Sequence, residues 1–285
     1  MSRFRIRMLS ALLAIAGLTS RPSLAQSGLV SVDVPGARET DCNAINKSGV
    51  VVGYYVDSGG LNHGFALIHG SFQFFNVLGA QATFLYGIND LNQAVGWYTD
   101  SGFITHGFLY NAGQVTTLDP PGSTLTNAWS INNSGTIVGT FVDVGGIHHG
   151  FTYSHGSYTT YNAPNAILTA ITGINSTGEI VGFYDDSNGN QHGFALVNGR
   201  FFPVNDPGSA DTVATRVNDA ATIAGYDGTT ALGPFSGYIE SKGLFTTVNF
   251  PAAADTRVRG LNQAGTVVGR YTDFANVIHG FMGTP

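Results

Sequence analysis

Residues 126–162 read TNAWSINNSGTIVGTFVDVGGIHHGFTYSHGSYTTYN and hold four short segments, TNAWSIN, TIVGTFV, HGFTYS and SYTTYN. Each has the length and the β-branched and aromatic content of a strand, and the residues between them are turn formers. Helical periodicity is absent, and with 39 glycines in 285 residues the chain has far too much glycine for helices.

The stretch recurs along the chain. Ile-Asn or a close variant ends at Asn46, Asn89, Asn132, Asn175, Asn218 and Asn262, at spacings of 43, 43, 43, 43 and 44. Four strands in about 40–45 residues is the arithmetic of a propeller blade. The N-terminal LVSVDVPGA matches the fourth segment of a repeat, whereas the chain stops after a third segment, HGFMGTP. The expected fold is therefore all-β: a six-bladed β-propeller with four-stranded blades, residues 26–285 as one domain. Its ring is closed by the N-terminal strand joining the C-terminal blade, which removes the open edges.

The turn after the first segment is Asn-x-x-Gly, with Gly49, Gly135, Gly178 and Gly265 at the fourth place. Glycine suits a position of positive φ, and Asn92 in the second unit is the next most tolerant residue. Ala221 in the fifth unit has no such excuse.

Residues 1–25 carry Arg3, Arg5 and Arg7, then MLSALLAIAGL, then PSLAQS. That is the pattern of a secretory signal peptide cleaved after Ala25, so a secreted or periplasmic protein is expected. No later apolar run is long enough for a membrane span. Losing Arg3, Arg5, Arg7 and Arg21 takes the formal charge from −6 to −10, which disfavours nucleic acid or an anionic membrane as partner. The single cysteine, Cys42, allows no internal disulfide and reads as a small buried side chain. A monomer built around a hydrophobic core is expected.

The third segment opens with His-Gly-Phe in five of the six units, at His63, His106, His149, His192 and His279, and with Ser236-Gly237-Tyr238 in the fifth. The chain resembles, over residues 29–283, the bacterial extracellular proteins with the HAF repeat, named for a His-Ala-Phe element. The resemblance implies a secreted propeller and carries no shared activity or site.

Six residues before each His stands an aspartate: Asp57, Asp100, Asp143, Asp186 and Asp273. Asp and His are the usual parts of metal and acid/base sites. A catalytic constellation occurs once, though, and a pair repeated around a ring reads as a local turn network. The other repeated features read as scaffold too. Gly53, Gly96, Gly139, Gly182, Gly225 and Gly269 sit mid-strand, where a missing side chain is expected to let blades approach. Phe65, Phe108, Phe151, Phe194, Tyr238 and Phe281 fill the space between blades. Thr40, Thr83, Thr126, Thr169, Thr212 and Thr256 bond backbone near the inner strand. His69, His148 and His155 read as exposed single residues.

Function belongs where the repeat breaks. Five and three residues before each Asn, on one face of the inner strand, stand Asp41 and Asn43, Phe84 and Tyr86, Asn127 and Trp129, Ala170 and Thr172, Val213 and Thr215, Arg257 and Arg259. Seven before come Glu39, Ala82, Leu125, Leu168, Asp211 and Asp255. Charges gather in the fifth, last and first strands, and Phe84, Tyr86 and Trp129 form the next sector. A small ligand with a polar head and an apolar body needs such a pocket. Alternatively, Asp255/Arg257 and Asp41/Arg259 are ion pairs that neutralise a channel mouth.

Three functions compete. The first is a Ca²⁺-dependent hydrolase of lactones or esters, with Glu39, Asp41, Asn43, Asn127, Asp211 and Asp255 as hard oxygen ligands. Asp41, Asp255, Arg257 and Arg259 would serve its chemistry, while Phe84, Tyr86, Asn127 and Trp129 bind the ligand, Trp129 with Tyr86 packing an acyl chain. The second is a non-catalytic, lectin-like binder of a small molecule or glycan. The third is a structural or partner-docking propeller.

Overall fold

The computed structural model describes residues 28–230 and 233–285, and the expected signal peptide lies outside them. The described residues form 24 strands and no helix. None of them therefore forms a helix long and apolar enough to cross a membrane.

Strand β1 (Leu29–Val32) precedes the first unit, which comprises β2 (Glu39–Ile45), β3 (Val51–Val56), β4 (Asn62–Ile68) and β5 (Ser71–Phe75). The second comprises β6 (Ala82–Ile88), β7 (Ala94–Thr99), β8 (Thr105–Asn111) and β9 (Gln114–Leu118), and the third β10 (Ser123–Ile131), β11 (Ile137–Asp143), β12 (His148–Ser154) and β13 (Ser157–Tyr161). Next come β14 (Leu168–Ile174), β15 (Ile180–Asp185), β16 (Gln191–Val197) and β17 (Arg200–Pro203), then β18 (Asp211–Val217), β19 (Ile223–Gly228), β20 (Phe235–Ser241) and β21 (Leu244–Val248). The chain ends with β22 (Asp255–Leu261), β23 (Val267–Thr272) and β24 (Ile278–Gly283).

Each unit is an antiparallel meander. The third and fourth are joined into one eight-stranded sheet by a single parallel pair, His148 with Leu168. Strands β22–β24 take β1 as their fourth strand, with Leu29 opposite Gly283 and Val32 opposite Gly280, as the chain ends imply. The first strands touch in the order β2, β6, β10, β14, β18, β22, and β22 touches β2 again. The sheets therefore stand in a ring with the first strands innermost.

The core lies in the clefts between sheets. Ala44 and Val52 of the first unit pack with Leu85, Ala94 and Phe108 of the second, and the other clefts repeat the arrangement. The six aromatics that follow His-Gly or Ser-Gly are fully buried, as expected, and Tyr238 satisfies its hydroxyl by donating to Val213 O at 3.2 Å. Cys42 is a buried free thiol.

Two glycine positions divide the packing differently from expectation. The mid-strand Gly139 faces Phe151 of its own sheet, and a Cβ there would collide with Asn127 O and come within 2.5 Å of the Phe151 ring. That glycine therefore makes room for the aromatic of its own sheet, not for the neighbouring one. Close approach between sheets depends on the glycine of His-Gly-Phe. A Cβ at Gly150 would meet Ile171 at 2.7 Å, one at Gly237 would meet Val258 at 2.7 Å, and one at Gly280 would meet Cys42 Sγ at 2.7 Å.

The asparagine that ends each inner strand does two jobs at once. Its Oδ1 accepts the amides two and four residues on, as Asn132 does from Ser134 at 3.1 Å and Thr136 at 3.0 Å. In five of the six units its Nδ2 donates to the carbonyl of the next unit's asparagine: Asn46 to Asn89 at 3.2 Å, Asn89 to Asn132, Asn132 to Asn175 and Asn175 to Asn218 at 3.1 Å, and Asn262 to Asn46 at 3.4 Å. This girdle ties neighbouring sheets together at one face of the ring. In the turns it anchors, Gly135 has φ +80°, Asn92 +59° and Ala221 +58°, so Ala221 carries a left-handed strain of about 1–2 kcal/mol.

On the opposite face, five of the six repeated threonines hold the crossovers through backbone amides as expected, whereas Thr126 donates to Ser123 Oγ at 3.2 Å. Thr40 Oγ1 accepts from Val34 N at 3.1 Å, Thr83 from Val77 at 3.0 Å, and Thr169 from Ala163 at 2.9 Å.

We expect Asn132→Asp, which keeps the Oδ1 acceptor but loses the link to Asn175, to cost about 1–3 kcal/mol in urea unfolding. Asn132→Ala should cost more, about 2–4 kcal/mol, because the turn amides also lose their acceptor.

Candidate ligand site on the axis

Every inner strand carries a β-bulge at the same place. Pairing with the second strand skips one residue: Asn43 in β2, Tyr86 in β6, Trp129 in β10, Thr172 in β14, Thr215 in β18 and Arg259 in β22. A bulged residue leaves the ladder and its side chain is re-aimed. All six line one axial pocket of about 410 Å³, with Phe183, Val213, Tyr226 and Arg216 completing it. These are the residues three before each asparagine that the sequence places at the axis.

Arg216 is the floor, and the sequence reading missed it. It stands two before Asn218, where the other units have Ala44, Gly87, Ser130, Gly173 and Gly260. A small residue is needed there because neighbouring strands crowd the position; a Cβ at Gly173 would meet Thr215 O at 2.8 Å. One long side chain therefore reaches across the axis. Arg216 Nη1 donates to Thr172 O at 2.6 Å and Thr215 O at 2.7 Å, and Nη2 to Trp129 O at 3.0 Å, Asn43 O at 3.4 Å and Tyr86 O. Five of the six bulge carbonyls thus converge on one guanidinium. Burial and the nearby Arg259 push Arg216 down to about 9, which leaves it charged at neutral pH. Below it, a second axial depression of about 600 Å³ is lined by girdle asparagines with Lys47, Asp90 and Gln263.

The aromatic wall is larger than the sequence showed. Trp97 stacks on Tyr86 at 3.9 Å between ring centroids, Trp129 meets Trp97 edge-on at 4.9 Å, and Phe84 lies 5.7 Å from Trp97 and 4.9 Å from Tyr54. Tyr54, Trp97, Phe183, Tyr226 and Arg270 all follow the mid-strand glycine, opposite the residue five before the asparagine. Variation after an otherwise constant glycine was the readable signal. Burial and then Asp41 push the Tyr54 phenol up to about 12.

The charged side pairs only in part as expected. Arg257 Nε meets Asp255 Oδ1 at 3.1 Å, and Arg257 lies over the Phe235 ring at 4.2 Å. Asp41 is bound by Arg270 at 3.4 Å instead of by Arg259. Burial works against the charge of Arg259, but Asp41 outweighs it and holds the guanidinium above its ordinary range. Around the axis several buried polar atoms have no partner: Asp41 Oδ1, Asn43 Oδ1, Asn127 Oδ1, Trp129 Nε1, Thr140 Oγ1, Arg259 Nε and Arg270 Nε.

Of the six residues considered as calcium ligands, two acids are engaged with backbone amides. Asp211 Oδ1 accepts from Gln191 N at 2.7 Å and Asp255 Oδ2 from Phe235 N at 3.0 Å, each fastening the start of a third strand. Among the described residues, no three His, Cys, Asp or Glu side chains form a group suited to a metal ion. Glu39 and Asn127 do not line the axial pocket, whereas Asn43 does.

The Asp/His pairs form the turn network read from their repetition. Asp143 Oδ1 accepts from Gly145 N at 2.8 Å and Ile147 N at 2.9 Å, while Oδ2 meets His149 Nε2 at 3.2 Å. The same histidine bonds Asn162 through Nδ1 at 2.7 Å, fastening the outer strand. In the second unit both partners are acids, Asp119 at 2.7 Å and Asp100 at 3.4 Å. His69 and His155 are exposed turn residues of positive φ.

No protein-family model and no curated protein matches the chain. Solved structures do. Aleuria aurantia lectin in complex with Fucα1-6GlcNAc is similar at TM-score 0.55 and 9% identity, covering 86% of this chain and 91% of the lectin. TolB from Acinetobacter baumannii is similar at TM-score 0.56 and 10% identity over 82% and 63%. The β-propeller domain of the Trilobed protease from Pyrococcus furiosus is similar at TM-score 0.51 and 8% identity over 86% and 95%. At such identities the likeness defines the fold alone, a β-propeller.

Two outcomes follow from this geometry. Arg216→Met should lower stability by about 3 kcal/mol or more, because converging buried carbonyls lose their donor; thermal melts beside Arg216→Lys would measure how much the lysine ammonium recovers. The second outcome is pH dependence. Asp186 is held well below its ordinary 3.8, first by the His192 bond and then by the Asn190 amide. Its contribution is present above pH 3.8 and lost as pH falls through the folded value. His106 is held above its ordinary 6.5: burial opposes its charge, but the bonds to Asp119 and Asp100 outweigh it. Its contribution is full below pH 6.5 and lost as pH rises through the raised value. Melting temperature should therefore be highest between about pH 4 and 6.5. Asp186→Asn should matter at pH 5 and not at pH 1, and His106→Gln should flatten the fall above pH 6.5.

Proposed function

We propose that this β-propeller is six-bladed, counting the eight-stranded sheet as two blades, and that it is a binding protein with one small-molecule site on its axis. The observation that carries the reading is the convergence of six bulged residues on one pocket in which Asn43 Oδ1, Trp129 Nε1 and Arg259 Nε have no partner. Buried polar atoms without partners are rare in folded proteins and mark positions that water or a ligand completes. The pocket also has the aromatic lining of small-molecule sites.

Binding is favoured over calcium-dependent hydrolysis because three of the four acids of the calcium set, Asp41, Asp211 and Asp255, are engaged with backbone amides or arginines. A glycan is the ligand class to try first. Hydroxyl groups both donate and accept, as Asn43 and Trp129 require, and the similar Aleuria aurantia lectin is described with a fucose recognition mode. The leader-like N-terminus and the His-Gly-Phe element support an extracytoplasmic protein related to those with the HAF repeat.

The chain has two tryptophans, Trp97 and Trp129, and they meet at this site. Intrinsic fluorescence therefore reports the axis. Titration with a panel of monosaccharides should shift the emission saturably, and Trp129→Ala should weaken binding about tenfold or more. Binding heat without any change in emission would move the ligand away from the axis and sink this reading.

A further inference from the structure

We propose that the axial ligand is an acidic sugar, a pyranose bearing a carboxylate, with Arg259 as the carboxylate receptor. The proposal rests on the reading of the axial pocket as a ligand site and adds the ligand's charge and class.

The lining of the pocket contains two arginines and no carboxylate. Arg216 is occupied by backbone carbonyls, with bonds to Thr172, Thr215, Asn43, Tyr86 and Trp129. Arg259 is not. Its Nε is buried without a partner, and its guanidinium stands 5.3 Å from the centre of the Tyr226 ring. Neither acid in its sector bonds to it: Asp41 holds Arg270 through Oδ2 at 3.4 Å, and Asp255 holds Arg257 at 3.1 Å and Phe235 N at 3.0 Å. Asp41 offsets the burial of the Arg259 guanidinium without bonding to it, and a planar carboxylate matches the free fork of donors in charge and geometry.

The remaining atoms select a sugar over a simple acid. Asn43 is fully buried, and its Nδ2 donates to Leu85 O at 2.9 Å, which leaves Oδ1 as an acceptor without a donor. Trp129 Nε1, across the pocket, needs an acceptor. Hydroxyl groups on a ring supply both, whereas a fatty carboxylate, sulfate or phosphate ion offers no equivalent set of donors. Tyr86 and Trp129 meet edge-on at 4.8 Å and form a corner against which the C–H face of a pyranose packs.

The test is titration of the full protein with glucuronate, galacturonate, glucose, galactose, hexanoate and sulfate, by calorimetry and by tryptophan emission. One uronate should bind about ten- to a hundredfold more tightly than its neutral hexose. Arg259→Gln should abolish that ratio by weakening the uronate far more than the neutral hexose, and Arg259→Lys should restore part of it. The acidic-sugar inference fails alone if the neutral hexose matches its uronate and Trp129→Ala still weakens both. It fails also if hexanoate or sulfate binds as tightly as the uronate, because the ring would then contribute nothing. If none of the sugars binds or changes the emission of Trp97 and Trp129, the axial reading falls with it.

Discussion

The rest of the molecule depends on the hydrogen bond from one asparagine side chain to the carbonyl of the asparagine in the next unit. Sheets that touch only through apolar clefts have no fixed height relative to one another, because the hydrophobic effect is non-directional. The donation from Asn132 to Asn175 O, repeated from unit to unit, sets that height. Because the same amide also holds its own turn through Oδ1, a shift of one sheet would break the turn as well as the link.

With the sheets held level, the inner strands bring their bulges to a common height. The bulges turn six side chains toward the axis and leave their carbonyls pointing inward, where a guanidinium meets five of them. Backbone carbonyls brought together without a donor would be unfavourable, so Arg216 completes the scaffold while it forms the floor of the pocket. The site is thus built by the same irregularity in every strand and differentiated by the residue that each bulge carries.

The scaffold was legible in detail because it repeats. A glycine, a threonine, an aspartate six before a histidine and a buried aromatic recur at fixed positions, and each proved to serve its own sheet or the adjacent one. Even so, the division of labour between the two glycines was not legible. Whether a missing Cβ makes room for Phe151 in its own sheet or for Ile171 in the next depends on which way the strand leans, and sequence does not carry that. The site was legible by half. Residues that break the repeat on the inner strand were readable as axial, whereas Trp97, Tyr226 and Arg270 sit on the second strand and come close only because that strand pairs across from the first.

By itself the sequence determined the strand count per unit, the order of the strands, the closure by β1 and the set of six axial positions. Those follow from periodicity, from turn chemistry and from the alternation of side chains along a strand, all of which are local. Only the tertiary structure decided which charges pair and which polar atoms are left waiting. Asp41 binds Arg270, 229 positions away along the chain, rather than Arg259, and Arg216 reaches carbonyls from four other strands. The physical reason is that an ion pair or a hydrogen bond is chosen by distances of a few ångströms across a closed ring. Those distances exist only once the bulges, the girdle and the final sheet are in place.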